Sequence, residues 1–315
     1  MITRTKRALV LSGGGGRGAY QVGVLTCLDA LNWEPDIIIG TSIGAVNAAT
    51  LGSRLPLPAL RNRWLDLETG DVQKMRADDV FIDNLVRGGQ HVFDTSPLPE
   101  TLGGRSKKWL GRPWLIPEIL NNPENELEIW ITAVEASERR LVYFNNRADG
   151  ITAKKVQASC SIPLWYEATK IAGKTYLDGG TIANSPFRKA VELGATEIIV
   201  VMMTPWPGNP IRSWEVERLP SLNDELLAIP QRLWAAFEPA LDMLLTEIAW
   251  HDYRLLEKER QDGNYRDLKW IRFVAPDTPL PVGLMTIYER KNHIRLFCRG
   301  ENDAEESLGA LLSER

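Results

Sequence analysis

The sequence predicts an α/β fold, with a three-layer α/β/α arrangement around a mostly parallel central sheet and with helical additions. Two observations indicate this class. Short apolar segments, such as residues 7–12 and 36–40, alternate with stretches such as residues 19–31, where apolar residues recur every three or four positions. Strands that are apolar throughout are typical of a parallel sheet covered by helices on both faces.

The other elements follow in chain order. A helix is predicted at residues 43–51, directly after the second strand. Residues 52–125 mix Gly, Pro and Trp, and they predict short helical pieces. Further strands are expected at residues 126–135, 141–145, 174–177, 197–202 and 269–275, the last of which closes the sheet.

A helical addition is predicted at about residues 205–265. Its apolar residues recur at helical spacing: Leu226, Ile229, Leu233, Phe237, Leu241, Leu244 and Ile248. Pro230 and Pro239 should break or kink it, because proline lacks a backbone N–H. We expect it to pack on the core; covering a ligand groove is the alternative.

The sequence contains no Gly/Ser-rich linker, so we expect a single domain over residues 1–315. A closing strand and helix are expected at about residues 266–310.

Composition excludes several classes of protein. The chain has 315 residues and a net charge of −4, which argues against a dedicated nucleic-acid-binding protein. It has no apolar run of about 18 residues, so no transmembrane segment is expected. The apolar stretch near the amino terminus is too short for a signal peptide, so we expect a cytoplasmic protein. Cys27, Cys160 and Cys298 are scattered, and no ligand cluster predicts a metal or organic cofactor.

A glycine-rich turn, Gly-Gly-Gly-Gly-Arg-Gly at residues 13–18, joins the first strand to a helix. Such a turn lets a ligand approach the backbone, and the first N–H groups of the helix can bind an anion. The turn also satisfies the GxGxxG pattern of dinucleotide-binding proteins. That interpretation needs an acidic residue at the end of the second strand, where this chain has Gly40-Thr41-Ser42. A turn that only packs the helix on the strand is the third interpretation.

A nucleophile-elbow pattern, Gly40-Thr41-Ser42-Ile43-Gly44, follows the second strand. A sharp strand-to-helix turn would lift the Ser42 hydroxyl above the sheet, and the small flanking residues relieve crowding there. The alternative is a serine that only caps the following helix.

No histidine is well placed to serve Ser42 as a base. His91, His251 and His293 do not follow predicted strands, so a Ser-His-Asp triad is not expected. The sequence Asp178-Gly179-Gly180, after a short strand, offers an aspartate on a glycine turn instead. Such an aspartate can act as a general base if its surroundings raise its pKa. The alternative is a plain turn.

These motifs, in this order, resemble the bacterial branch of the patatin-like phospholipase family. The similarity is good over about residues 7–205 and loose over 266–310. It extends to LVLSGGGGRGAYQVGVL, GTSIGAVNAA, FDTSPL, QASCSIPLWYEATKIAGKTYLDGGTIANSP and GATEIIVVMMTP.

The resemblance implies a lipid acyl hydrolase with a Ser-Asp dyad and no cofactor. Ser42 would be the nucleophile and Asp178 the general base. The N–H groups of residues 14–16 would form the oxyanion hole, and Arg17 would support that loop or meet a lipid phosphate. The glycines of the oxyanion hole are Gly14, Gly15 and Gly16, and the supporting glycines are Gly40, Gly44, Gly179 and Gly180. The expected substrate is a lipid or phospholipid, cut by a phospholipase A, a lysophospholipase or a neutral-lipid lipase.

Two other functions stay open at this point. One is a nucleotide-cofactor oxidoreductase that uses the GxGxxG loop, and the other is a catalytically silent lipid-binding module.

The chain has 11 tryptophans, and two of them stand in a basic loop at about residues 105–114. Trp109 and Trp114 lie among Arg105, Lys107, Lys108 and Arg112. Tryptophan beside basic residues suits peripheral contact with an anionic membrane surface. We favour the other interpretation, a solvated loop whose aromatic side chains pack against the protein.

Overall fold

The computed structural model describes residues 5–75, 91–208, 231–281 and 285–313. Its central sheet has eight strands in the order β11-β10-β1-β2-β5-β9-β8, with β6 paired to β5. The strands of this sheet are β1 (Arg7–Leu11), β2 (Ile37–Gly40), β5 (Glu128–Glu135), β6 (Arg140–Asn145), β8 (Thr169–Ile171), β9 (Lys174–Asp178), β10 (Glu197–Val201) and β11 (Trp270–Val274). The five strands from β11 to β5 run parallel, and β6, β8 and β9 are antiparallel to their neighbours.

A second, three-stranded sheet lies outside the central one. It consists of β3 (Lys74–Met75), β4 (His91–Asp94) and β7 (Leu164–Tyr166), in that order. Its strands are short, and two of them fall in the stretch 52–125, where the sequence predicts only short helical pieces.

The described α-helices cover both faces of the central sheet. They are α1 (Ala19–Ala30), α2 (Ile43–Gly52), α3 (Leu57–Asp66), α4 (Thr69–Val72), α5 (Pro97–Leu102), α6 (Pro117–Leu120), α7 (Ala153–Ser159), α8 (Phe187–Glu192), α9 (Gln231–Gln261) and α10 (Arg290–Ser313). Short 3-10 helices occupy Gly15–Gly18 and Gly179–Thr181. No helix among the described residues is long and apolar enough to cross a membrane.

The core has two halves because alternate residues of each strand point to opposite faces. Leu9 and Leu11 of β1 pack in one half, together with side chains of α1, α2 and α10. Ala8 and Val10 pack in the other half, with side chains of α8 and α9. The predicted three-layer α/β/α class is therefore confirmed, whereas the division into domains stays a prediction.

The helical addition is not broken at Pro239, which was one of the two outcomes predicted there. Helix α9 runs without interruption from residue 231 to 261, so proline does not end it at that position. A proline inside a helix costs about 3 kcal/mol. Beyond Pro239 the helix buries Ala249 and Leu256 in the core, which offsets that cost. Leu226, Ile229 and Pro230 lie outside the described residues.

The tryptophans of the basic loop pack inside the protein. Trp109 and Trp114 are 0% and 1% exposed, and Trp114 joins both Trp109 and Trp64 in edge-to-face pairs. Three neighbouring cations, Arg105, Lys108 and Arg112, pair with carboxylates of the same chain, for example Lys108 with Asp71 at 2.8 Å. The favoured interpretation of packed aromatic residues is therefore correct, and these tryptophans do not form a membrane-contacting surface.

Candidate active site

Ser42 occupies a sharp turn between β2 and α2. Its backbone has φ 55° and ψ −123°, a strained conformation for a residue with a side chain. A Cβ atom on Gly40 would lie 2.3 Å from the carbonyl oxygen of Gly44, and one on Gly44 would lie 2.1 Å from that of Leu11. Only glycine fits at either position, so the local sequence forms the elbow that the GxSxG pattern predicts.

A residue that the sequence analysis did not single out also holds this turn. The Ser42 N–H donates a hydrogen bond to Ser159 Oγ at 2.9 Å, at the end of α7. Ser159 is fully buried. It stands in the segment that carries the family resemblance, which was the one available signal for it.

The carboxyl ends of two strands meet beside Ser42. Strand β2 pairs with β5 up to Gly40–Ile131, and β9 pairs with the same edge of β5 from Ala133–Asp178 onward. Strand β9 runs antiparallel to β5, so its end faces the end of β2 across Thr132. This arrangement brings Asp178 to Ser42.

Thr132 and Gly179 leave little space between these strand ends. Thr132 Oγ1 donates a hydrogen bond to Thr41 Oγ1 at 2.9 Å. A Cβ atom on Gly179 would lie 2.0 Å from Thr132 Oγ1, so the Asp-Gly-Gly turn needs glycine at this position.

The Asp178 carboxyl is buried and only partly hydrogen-bonded. It is 4% exposed, and Oδ1 accepts the Gly180 N–H at 2.7 Å. Oδ2 has no complete hydrogen bond among the described residues. Burial raises the pKa of Asp178 to about 7, against the opposing effects of the Ser42 hydroxyl and the Gly180 N–H. The Ser42 hydroxyl is therefore close enough to the carboxyl to lower its pKa, although burial has the larger effect.

The glycine-rich loop passes directly over Ser42. A Cβ atom on Gly13 would lie 3.0 Å from the Ser42 Cβ. Gly15 has φ 56°, and a Cβ there would lie 1.9 Å from the Met285 carbonyl oxygen. Both the conformation and the close approach require glycine at position 15.

Three N–H groups of this loop have no acceptor among the described residues: those of Gly14, Gly15 and Gly16. They precede the first hydrogen bond inside the 3-10 helix. The Gly13 N–H, in contrast, donates to Asn184 Oδ1 at 3.1 Å. In the part of the chain that the structure describes, the donors that the sequence predicts for an oxyanion hole are therefore unpaired.

Asn184 is a second residue that sequence reasoning missed. Besides accepting the Gly13 N–H, its Nδ2 donates to the Gly13 carbonyl oxygen at 3.4 Å. It is 6% exposed and follows the Asp178 turn by six residues. It thus ties the glycine-rich loop to the segment that carries the aspartate.

Ser42 lies between two cavities. The larger one, which we call the Ser42 cavity, has a volume of about 250 Å³ and also borders Asp178, Gly13 and Gly14. Its apolar wall includes four side chains of α9: Leu241, Leu244, Leu245 and Ile248. The smaller one is an apolar cleft of about 30 Å³ that borders Cys160 and Tyr166. An apolar substrate group can therefore approach Ser42 from the α9 side.

Arg17 supports the glycine-rich loop from within the protein. It is 1% exposed, and its guanidinium donates to Asp242 and to the carbonyl oxygens of Met203, Leu280 and Pro281. The expected contact with a lipid phosphate is wrong, because these partners and the burial leave no face of the guanidinium open.

Two of the three histidines lie away from Ser42. His251 is exposed on α9, and neither it nor His293 borders the Ser42 cavity. His293 is 0% exposed and meets Trp64 edge to face, with ring centroids 5.1 Å apart. Burial lowers the pKa of His293 to about 4, and the Trp64 backbone opposes this only weakly.

His293 should make the protein acid-labile. Its native pKa lies below the ordinary 6.5, so the folded state excludes a proton that the unfolded state binds. The contribution of His293 to the free energy of unfolding is fully present above pH 6.5. It falls by up to about 3 kcal/mol as the pH decreases towards 4. In His293→Phe, urea unfolding at pH 7, 5.5 and 4.5 should lack this loss. An identical pH dependence in variant and wild type would contradict the prediction.

A protein-family model described as patatin-like phospholipase matches residues 9–191, more than half of the chain. The chain belongs to the patatin-like phospholipase family. The resemblance drawn from the motifs is thereby confirmed, and residues 42 and 178 both fall within the matched region.

Two curated relatives of this patatin-like protein are much longer. Triacylglycerol lipase 4 of Saccharomyces cerevisiae is 31% identical over 167 residues, which is 50% of this chain and 18% of the yeast protein. Patatin-like phospholipase domain-containing protein 7 of Mus musculus is 29% identical over 210 residues, 64% of this chain and 14% of the mouse protein. The chain therefore spans less than a fifth of either relative.

The solved structure of VipD from Legionella pneumophila is similar to this fold. The alignment covers 98% of this chain and 67% of the VipD chain. The TM-score is 0.49 and the sequence identity is 12%.

Proposed function

We propose that this patatin-like protein is a serine hydrolase that cleaves acyl esters of lipids, of the phospholipase A or lysophospholipase type. Ser42 is the nucleophile and Asp178 its general base. One observation supports this proposal most directly. The Asp178 carboxyl is buried beside the strained Ser42 turn, and its Oδ2 is unpaired among the described residues. Family membership and the lipase and phospholipase names of the relatives support the lipid substrate.

The proposed reaction begins when the Asp178 carboxylate takes the proton of the Ser42 hydroxyl. The Ser42 Oγ attacks the carbonyl carbon of the ester, and the negative charge moves to the carbonyl oxygen. When the intermediate collapses, the alcohol leaves with the proton from Asp178, and an acyl-enzyme remains. Asp178 then deprotonates a water molecule, which attacks the acyl carbon. When this second intermediate collapses, the bond to Ser42 Oγ breaks, Asp178 returns the proton to Ser42 Oγ, and the fatty acid leaves.

The N–H groups of residues 14–16 donate hydrogen bonds to the oxyanion in both steps. Backbone donors held between a strand and a helix need little reorganisation as the charge develops. Removing one such donor from an acyl-transfer site costs about 3–4 kcal/mol of transition-state stabilisation.

The acyl chain occupies the Ser42 cavity. The leucine-rich wall on α9 is uncharged. Burial of each methylene group of the acyl chain stabilises binding by about 0.8 kcal/mol. Leu164 and Leu244 border this cavity and are 75% and 61% exposed. Leu164 also has φ 72°, so its exposed position is held by a strained backbone. These two leucines form an apolar rim through which a lipid surface contacts the protein, in place of the buried tryptophans.

Labelling with a fluorophosphonate tests the nucleophile, and a lipid panel tests the substrate. Mass spectrometry should locate the adduct on Ser42, with none in Ser42→Ala. Phosphatidylcholine, lysophosphatidylcholine, triacylglycerol and a short-chain ester are then compared, and fatty acid should be released fastest from a phospholipid.

Other outcomes would change the assignment. Release mainly from triacylglycerol would make the protein a neutral-lipid lipase. Lipid binding without turnover or labelling would favour the silent module. Tight binding of a dinucleotide would favour the oxidoreductase.

A further inference from the structure

Helix α9 contacts the glycine-rich loop through a buried ion pair. Arg17 Nη1 donates to Asp242 Oδ1 at 3.0 Å, and the two side chains are 1% and 11% exposed. The other described partners of the guanidinium are backbone carbonyl oxygens, so Asp242 supplies the one carboxylate among them. Asp242 lies beyond residues 9–191, the region that matches the family.

Both charges of this ion pair are buried, so each needs the other as a partner. Burial raises the pKa of Asp242, whereas the Arg17 charge and hydrogen bond favour its ionised form. Loss of one partner would leave the other charge buried without compensation. The position of the Arg17 guanidinium therefore depends on the Asp242 carboxylate.

Arg17 is part of the turn that holds the free N–H groups. Its own N–H donates to the Gly14 carbonyl oxygen at 3.1 Å, within the turn that presents residues 14–16. A displacement of the guanidinium therefore transmits to these donors. Oxyanion donors act only at close distance from the developing charge, so a small displacement is costly.

The same stretch of α9 forms the wall of the Ser42 cavity. Asp242 and Thr246 are one turn apart and share a face of the helix, on which Thr246 Oγ1 donates to Thr204 Oγ1 at 2.9 Å. Leu241, Leu245 and Ile248 lie on the neighbouring face and border the cavity. One face of α9 thus attaches to the protein, and the adjacent face bounds the cavity.

We infer that Asp242 is a positioning residue for the proposed reaction. Through Arg17 it holds the N–H groups of Gly14, Gly15 and Gly16 where the oxyanion forms, and it links their placement to the docking of α9. This role rests on the proposed esterase function. It makes the turnover rate dependent on a helix outside the family-matched region.

Asp242→Asn tests this role on a short-chain ester, which uses the oxyanion donors but little of the cavity wall. The kcat should fall at least tenfold while KM changes less than threefold. Thr246→Val removes the hydrogen bond to Thr204 and keeps the Arg17–Asp242 pair, so its kcat for the short-chain ester should fall less than that of Asp242→Asn. Met243→Ala is the matched control, because Met243 is 59% exposed and does not border the cavity; it should leave both constants within twofold.

The outcomes separate a positioning role from a structural one. A kcat loss in Asp242→Asn no larger than that in Thr246→Val would overturn the inference. Asp242→Glu restores the carboxylate and should recover most of the lost kcat. If Asp242→Asn does not fold, Arg17→Lys replaces it. Lysine keeps the charge but loses the planar set of donors. Its kcat should fall with KM little changed, and an unchanged kcat would overturn the inference.

The wild-type protein distinguishes this inference from the proposed function. Wild-type turnover with labelled Ser42, together with an unaffected Asp242→Asn, refutes the inference alone. Absence of wild-type turnover refutes both.

Discussion

Ser42→Ala should lower the turnover of acyl esters by about 10⁴-fold or more, which is about 5.5 kcal/mol of activation free energy. Alanine removes the attacking oxygen, so no acyl-enzyme can form. The elbow should survive, because Gly40 and Gly44 still fit and the residue 42 N–H still reaches Ser159. Release of p-nitrophenol from a short-chain ester measures the rate, and circular dichroism checks the fold.

Ser106→Ala is the matched control for this variant. The Ser106 hydroxyl is buried without a partner among the described residues, so its loss should leave activity near that of the wild type. Undiminished turnover in folded Ser42→Ala, or a fluorophosphonate adduct on another serine, would refute the nucleophile assignment.

Asp178→Asn should be nearly as inactive as Ser42→Ala, and it should also be more stable than the wild type above pH 7. Asparagine keeps the shape of the side chain but cannot accept the Ser42 proton. Residues that act as one catalytic unit are not additive, so the double variant should be little slower than either single variant. Retention of more than about a tenth of wild-type activity would refute the general-base role.

The stability gain follows from the raised pKa of Asp178. Its native pKa of about 7 exceeds the ordinary value of 3.8, so the fold favours the protonated carboxyl. The resulting contribution of Asp178 to the free energy of unfolding is fully present below pH 3.8. As the pH rises to 7, up to about 4 kcal/mol of it is lost. Asparagine does not ionise and should avoid this loss. Urea unfolding at pH 8 should show the variant to be more stable, and equal or lower stability would contradict an elevated pKa.

The wild-type pH profile reports the same group through activity. The kcat/KM should fall about tenfold per pH unit below pH 7, because only the ionised Asp178 accepts a proton. A profile that stays flat down to pH 5 would mean that the carboxyl titrates in its ordinary range.

The sequence alone determined the local parts of this protein. The elbow at Ser42, the glycine-rich turn and the Asp-Gly-Gly turn each depend on neighbouring residues, because a glycine is needed wherever a side chain would collide or φ is positive. The apolar pattern likewise predicted the parallel strands and the helices beside them. These features arise from conformational preferences within a few residues, which a single sequence displays directly.

The tertiary structure decided how distant residues meet, including Ser42 and Asp178, which the family resemblance had paired. Ser42 and Asp178 come together because β2 and β9 end against the same edge of β5, a pairing that no local pattern specifies. The contact of Asn184 with the glycine-rich loop and that of Asp242 with Arg17 depend in the same way on how complete layers pack. Conformational preference acts over a few neighbouring residues. Packing fills volume and pairs buried charges and hydrogen-bonding groups across the whole core. These partners are therefore defined only by the tertiary fold.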